Sequence, residues 1–465
     1  MAYRPGLDPI PPRFSPWILR AVQGLLPLLC WFRCFPWLPA GLRGFELVEG
    51  ERLLEAWRAF GRGELRLILA FRHGEVDDPL AGLWLLSRGL PRLAGRLGQP
   101  PLPHLHVHFL YDRGMTLWGG AALGWVLSRL GGVSLRRGRR PDWTALRQSR
   151  RLVLEGRFPF AVAPEGATNG HGERIGPLEP GVAQLGLWCV HDLLRQGRPE
   201  AVWIVPIGLQ YHYPTAPWGR LERLLARLER QAGLAPPPLC DPGRGPDADG
   251  HPGRALYPRL LALGERLLQR LEAFYGALGG APASALLSAE GTLGERIVAL
   301  LDRALAAAEV RFGLPAAGTP VDRCRRLEEQ AWQRLHRSDL PPRQRLCPLD
   351  RALADWLARE AALALLHLRL AEGFVAVSGD YVARRPSFER FAETLLLLEE
   401  ALQKLAGVRP VHRSWLGPRR VRISVAAPLP LRHGGAPEPT GLARGPGAQA
   451  RLTEAIAQAL HGTLV

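Results

Sequence analysis

Between Leu65 and Leu209 the chain alternates short apolar runs with longer amphipathic stretches. Leu67–Phe71, Leu105–Tyr111, Val133–Leu135, Phe158–Ala163 and Ala201–Leu209 have the length and apolar content of buried strands. Between them, Leu80–Leu86, Leu117–Leu130, Trp143–Glu155 and Val182–Leu194 carry apolar residues at helical spacing. Strands alternating with helices predict an α/β fold, a mostly parallel sheet covered on both faces. Residues 214–256 are rich in proline and glycine and read as a loop or linker. Leu256–Leu278, Leu293–Phe312, Arg323–Arg337, Leu349–Leu370 and Phe388–Leu405 then read as helices, with leucines three and four residues apart. Strand character returns at Val421–Val425, and Arg451–Leu460 predicts a terminal helix.

The strand Leu67–Phe71 stops at Arg72-His73-Gly74, and Asp77 or Asp78 caps the next helix with Pro79 at its first position. His73 therefore ends a strand and Asp78 begins a helix. A turn between them can bring the carboxylate to the imidazole. Asp78 would then fix the ring tautomer and leave the other nitrogen able to take a proton. An ordinary surface loop with a helix cap has the same composition, so the pair alone does not decide the chemistry.

Charge adds a constraint on partners. The formal net charge is +17, carried almost wholly by arginine. It suits nucleic acid, phosphorylated substrates or an anionic membrane surface without choosing among them. Nucleic-acid binding lacks a recognisable module or an interleaved aromatic stripe. Arg136, Arg137, Arg139 and Arg140 follow the strand Val133–Leu135, where planar guanidinium forks could hold a phosphate or simply form a solvated run. Trp17–Leu38 is apolar and aromatic but broken by Arg20, Arg33 and prolines, and its longest uncharged run, Ala21–Phe32, is too short to span a bilayer. It suits a helix lying in the membrane interface or one packed on the protein's own core. His104, His106 and His108 would share one strand face, and a polar face is favoured there over a metal site. The six cysteines, Cys30, Cys34, Cys189, Cys240, Cys324 and Cys347, are scattered without a CxxC pair, as free thiols in a reducing compartment would be.

Four blocks in order carry a resemblance: His73 to Asp78, Gly132-Val133-Ser134-Leu135-Arg136-Arg137, Ala163-Pro164-Glu165-Gly166 and Ile204-Val205-Pro206-Ile207. Together they resemble the motifs of the glycerolipid acyltransferase family, which includes the 1-acylglycerol-3-phosphate acyltransferases, over roughly residues 45–214. The resemblance implies that His73 is the general base of an HxxxxD motif, with Asp78 its partner. It implies that Arg137, assisted by Arg136, holds the acceptor's phosphate, that Glu165 and Gly166 help bind the acceptor, and that Pro206 lies on the acyl-donor side. Motif three departs from FPEGTRS: Ala163, Ala167, Thr168 and Asn169 stand for its phenylalanine, threonine, arginine and serine.

The family pattern also implies one α/β domain with a long helical insertion before its last strand. On it, residues 1–44 are an N-terminal membrane-interface segment, 45–214 the acyltransferase core, 215–415 a linker and helical insertion, and 416–465 the last strand and terminal helix. The expected activity is transfer of a fatty acyl group from acyl-CoA or acyl carrier protein to a lysoglycerolipid hydroxyl, at the cytoplasmic face of a membrane. No metal or other cofactor is expected beyond the thioester co-substrate, and no nucleic acid. The alternatives are a different lipid acceptor or a catalytically degenerate, basic membrane-binding protein.

Overall fold

The computed structural model describes residues 3–6, 9–34, 38, 40–102, 105–136, 141–166, 168–237, 252–279, 291–374, 379–408, 412–436 and 438–464. The chain divides into two compact units. One is α/β and draws on Pro9–Arg136, Asp142–Thr215 and Gly417–Val465; the other is helical and centres on Ala216–Leu416.

In the α/β unit, helix α1 (Pro16–Trp31) is followed by β1 (Leu42–Val48), α2 (Gly50–Gly61), β2 (Leu65–Phe71) and α3 (Asp78–Trp84). A π turn at Leu85–Gly89 leads into α4 (Leu90–Arg96), and the series continues with β3 (His108–Asp112), α5 (Met115–Arg129) and β4 (Gly132–Leu135). Then come α6 (Trp143–Glu155), β5 (Phe160–Val162), α7 (Gly181–Arg195) and β6 (Ala201–His212). After the helical unit, β7 (Arg419–Val425), β8 (Leu429–Arg432) and a terminal helix, Ala448–His461, complete it.

The eight strands of this unit form one mixed, mostly parallel sheet in the order β1, β7, β6, β2, β5, β3, β4, with β8 also on β6. From β6 to β4 neighbouring strands are parallel. β7 runs antiparallel to β6 and parallel to β1. Central β2 is apolar on both faces because both are covered. Leu65, Leu67 and Leu69 join Val205, Ile207, Ile423, Trp57 and Leu90 in one core, and Ile68 and Ala70 join Phe160, Ile204, Leu185 and Ile456 in the other. This is the α/β architecture the hydrophobic pattern predicts, with a long helix ahead of the last strands.

Pro206 sits in the middle of β6, where a missing N–H would ordinarily break a ladder. Its carbonyl accepts from the Ala426 N–H at 3.0 Å. On that edge β8 pairs with Val202–Ile204 and β7 with Ile207–His212, so proline falls in the gap between two partners.

Several elements escape the sequence pattern, α2 and α4 among them. β1 and β8 are edge segments with little alternation. Residues 214–256, expected as a loop, contain α8 (Trp218–Gln231), whose Leu221, Leu224, Leu225 and Leu228 are buried. Its flanking prolines, Pro214 and Pro217, end before the helix and do not interrupt it. In the helical unit α9 (Pro252–Leu278), α10 (Leu293–Phe312), α11 (Pro320–Leu335), α12 (Pro348–Phe374), a short α13 (Tyr381–Arg384) and α14 (Phe388–Leu405) follow. Its core includes Leu271, Leu301, Leu305, Leu327, Ala358 and Leu368. Thr292 and Thr319 open α10 and α11 with reciprocal capping boxes. Residues 3–6 belong to this unit, where the Tyr3 N–H donates to Asp355 at 3.0 Å.

His106 and His108 are buried and tied to backbone: His106 Nε2 to the Leu130 carbonyl at 2.7 Å, His108 Nδ1 to the Gly131 carbonyl at 3.2 Å. His104 lies outside the described residues. Burial pushes the His106 imidazole down from 6.5 to about 4. The unfolded chain therefore binds a proton between those values that the fold refuses, so stability is full above pH 6.5 and is lost as pH falls toward 4. From pH 7 to 5 this group's share is about 2 kcal/mol. Urea unfolding of the wild type and His106→Gln should show the variant losing less stability over that interval. Equal losses would assign the acid sensitivity elsewhere.

Candidate active site

The site forms at the carboxyl end of β2, where ligands gather in open α/β sheets. Its turn closes because Asp78 is needed in two directions. One carboxylate oxygen faces His73 Nδ1 at 3.0 Å and accepts from the Glu75 N–H at 3.0 Å. The other accepts from the Tyr211 hydroxyl of β6 at 2.6 Å. Asp78 has no exposed side chain, whereas that of His73 is 25% exposed. The imidazole is thus held at Nδ1, and Nε2 is the nitrogen available to a ligand. Burial, with Asp78 and Asp77 close by, pushes the Tyr211 phenol well above its ordinary range, so it stays protonated and keeps donating.

A second buried carboxylate stands beside the first. Asp77 accepts from the Ala40 N–H at 3.0 Å and from Arg419, the first residue of β7. Arg419 also donates to the Ala40 carbonyl at 3.0 Å and lies 4.9 Å over the Tyr211 ring. Burial alone would lower the Arg419 guanidinium, but Asp77 and Glu75 outweigh it and hold the group firmly protonated. Nothing in the local pattern of β7 marks Arg419; only its place opposite Asp77 does.

Glu165 forms the other wall. Its side chain is 1% exposed. One oxygen accepts from the His73 N–H at 3.1 Å; the other accepts from Asn169 Nδ2 at 2.8 Å and the Gly176 N–H at 2.9 Å. Both oxygens are thus engaged by the protein. Through them Glu165 ties the backbone of His73 to the loop beyond β5. Gly166 turns that loop at φ +70°, and a Cβ there would lie 2.5 Å from the Glu179 carboxylate.

Arg72, the residue before His73, was not singled out by sequence. It is fully buried, and its guanidinium donates to the carbonyls of His171, Gly172 and Arg174. Glu165 lies 3.8 Å from its Nε. Asn169, one of the motif-three departures, completes the loop by donating also to the Arg174 carbonyl at 2.7 Å. A basic residue closing a strand was the only signal for Arg72, and exposure is the commoner fate of such a residue.

Arg137 lies outside the described residues, as do Arg139 and Arg140. Arg136 is exposed, and its N–H donates to Asp142 at 3.1 Å. Pro206 is internal to the sheet, beside Ala70 of β2. Among the described residues no group of three or more histidine, cysteine or acidic side chains is placed to hold a metal. Burial pushes the Cys30 and Cys189 thiols up to about 12, which makes them poor nucleophiles.

Protein-family models give no match to this chain, and no curated protein matches it. The functional reading therefore rests on the motifs and this geometry.

The Asp77–Arg419 pair gives a stability test independent of activity. Arg419→Met leaves a buried carboxylate without its cation and should lower unfolding free energy by about 3–5 kcal/mol. Asp77→Asn keeps an acceptor for the Ala40 N–H, so the double variant should regain much of that loss in urea unfolding. Additive losses would mean that the two side chains act separately.

Proposed function

We propose that this protein is an O-acyltransferase that moves a fatty acyl group from a thioester, acyl-CoA or acyl carrier protein, to the hydroxyl of a lysoglycerolipid such as 1-acylglycerol-3-phosphate. The observation that carries this reading is the His73–Asp78 contact of 3.0 Å, with the imidazole partly exposed at the carboxyl end of the sheet. In this mechanism His73 Nε2 takes the proton of the acceptor hydroxyl as its oxygen attacks the thioester carbonyl. The tetrahedral intermediate collapses by breaking the C–S bond. The leaving thiolate takes the proton back from the imidazolium, so no acyl group rests on the enzyme. A positioned base typically contributes about a hundred- to ten-thousand-fold.

Asp78 holds the tautomer and supports the imidazolium, and Tyr211 holds Asp78. Glu165 is a positioning residue on this reading, and Arg137 is the proposed grip on an acceptor phosphate. Membrane association follows from the lipid acceptor. It is supported by α1, which buries Leu26 and Cys30 but leaves Trp17 73%, Leu28 51% and Trp31 51% exposed. The lipid substrate would be presented from the cytoplasmic face.

The test is turnover with a panel of acyl thioesters and lysolipids. His73→Ala should abolish transfer with an unchanged thermal melt, and Asp78→Asn should lose less because the base survives misoriented. Near-normal turnover in His73→Ala would overturn the mechanism. Arg137→Ala should reduce kcat/KM for a phosphate-bearing acceptor by about ten- to a hundredfold, the loss of one charge-assisted bidentate contact. The KM for the acyl donor should barely move. Arg137→Lys should recover only part, because a point charge does not reproduce the fork. An equal effect of Arg139→Ala would point to diffuse electrostatics.

A further inference from the structure

A cavity of about 420 Å³ lies in the α/β unit at the end of the sheet away from His73. Its walls are the first turns of α1, the π turn between α3 and α4, and the chain just ahead of β3 and β5. Ile68 of β2 pairs with Phe160 of β5, so the lining residue Phe158 stands level with Arg66. From Arg66 to His73 is about 23 Å of strand at 3.3 Å per residue. The cavity is therefore separate from the candidate active site. The π turn, which supplies Leu86 and Ser87 to the wall, is a kind of irregularity found often at functional sites.

The lining divides by depth. Leu86, His106 and Phe158 are buried and make the floor. The His106 ring lies 5.2 Å from that of Phe158, and burial keeps the imidazole neutral at pH 7, so the floor is uncharged. Arg20 of α1 and Arg157 line the cavity from two different walls and are exposed, which places them at its rim. The Arg157 guanidinium lies 5.7 Å over the Phe158 ring. That of Arg20 lies 4.8 Å over the Trp17 ring and has no acidic partner among the described residues. No aspartate or glutamate is among the described lining residues. Two cations over an uncharged, mostly apolar floor match a ligand with an anionic end and an apolar body. Size points the same way. At about 30 Å³ per water-sized group the cavity takes ~14 non-hydrogen atoms, many more than a bare anion needs.

We propose that this cavity binds an anionic amphiphile, whose phosphate or carboxylate head accepts from Arg20 and Arg157 while a short apolar chain lies on Leu86 and Phe158. That chemistry belongs equally to a lipid drawn from a bilayer and to a free alkyl or acyl acid. The site does not depend on what reaction His73 supports.

The test is titration calorimetry of the full-length protein with octyl phosphate below its micelle concentration. Octyl phosphate should bind about tenfold or more tighter than inorganic phosphate or 1-octanol, since each of those supplies only half of the match. Arg20→Gln should weaken binding about tenfold, the loss of one charge-assisted contact. Gln23→Trp, which fills the cavity from the α1 wall, should abolish it. Arg20 is exposed, so its variant should keep the wild-type melting temperature and decides the matter even where Gln23→Trp misfolds. Binding should survive Arg137→Ala and His73→Ala. Phosphatidylcholine vesicles carrying phosphatidate should displace the probe beyond plain phosphatidylcholine vesicles when a bilayer lipid is the ligand, and no further than plain ones when a free amphiphile is. Wild-type affinity in Arg20→Gln would overturn the proposal, as would equal affinity for octyl phosphate and either half-probe. Loss of binding in Arg137→Ala or His73→Ala would also overturn it, by assigning the ligand to the candidate active site.

Discussion

Two adjacent carboxylates, Asp77 and Asp78, are buried where α3 begins, and a buried charge must be met by partners or it destabilises the fold. Meeting them draws in much of the α/β unit. Asp78 takes the Glu75 N–H, the His73 ring and the Tyr211 hydroxyl from β6. Asp77 takes the Ala40 N–H just ahead of β1 and the Arg419 guanidinium from β7. The start of α3, two neighbouring strands and the entry to β1 are thus fastened at one point. That rigidity has a chemical consequence. An imidazole held at one nitrogen by a carboxylate that cannot itself move presents its other nitrogen in a fixed direction.

Much of the fold was legible because its signals are local. The buried strands read as continuous apolar runs, since a sheet covered on both faces needs no alternation. The helices read from leucine spacing, and their boundaries moved by only a few residues. The strand end at His73 and the helix start at Asp78 were legible for the same reason: Pro79 and the acidic pair mark the junction. What was not legible depended on distant partners. Arg419 and Tyr211 matter because the sheet order places β7 and β6 beside α3, and no local pattern encodes that. Arg72 reads as an ordinary surface arginine until the loop from His171 to Arg174 folds over it. α8 was missed for a different reason: proline and glycine counts over a wide window hid a short leucine stripe.

The loop beyond β5 is built around two buried side chains of opposite charge, Glu165 and Arg72. Glu165 and Arg72 supply opposite charges in a dry environment: Arg72 donates to the carbonyls of His171, Gly172 and Arg174, and Glu165 accepts from the Gly176 N–H. Asn169 fits this arrangement better than a hydroxyl would, because its amide donates to Glu165 and to the Arg174 carbonyl at once. The loop's geometry is therefore set by hydrogen-bond satisfaction of two buried ions.

The long helical unit enters the α/β sheet at a place where insertion is cheap. β6 and β7 are antiparallel neighbours, with His212 opposite Arg420, so the chain leaves and returns at adjacent points. A hairpin connection there requires only that its two ends meet, and closure entropy grows slowly with the length between them. An inserted segment with its own core, such as that around Leu305 and Ala358, keeps its ends together without drawing on the sheet's stability. Arg419 is the first residue of the returning strand, so the register that pairs β7 with β6 also delivers the cation to Asp77.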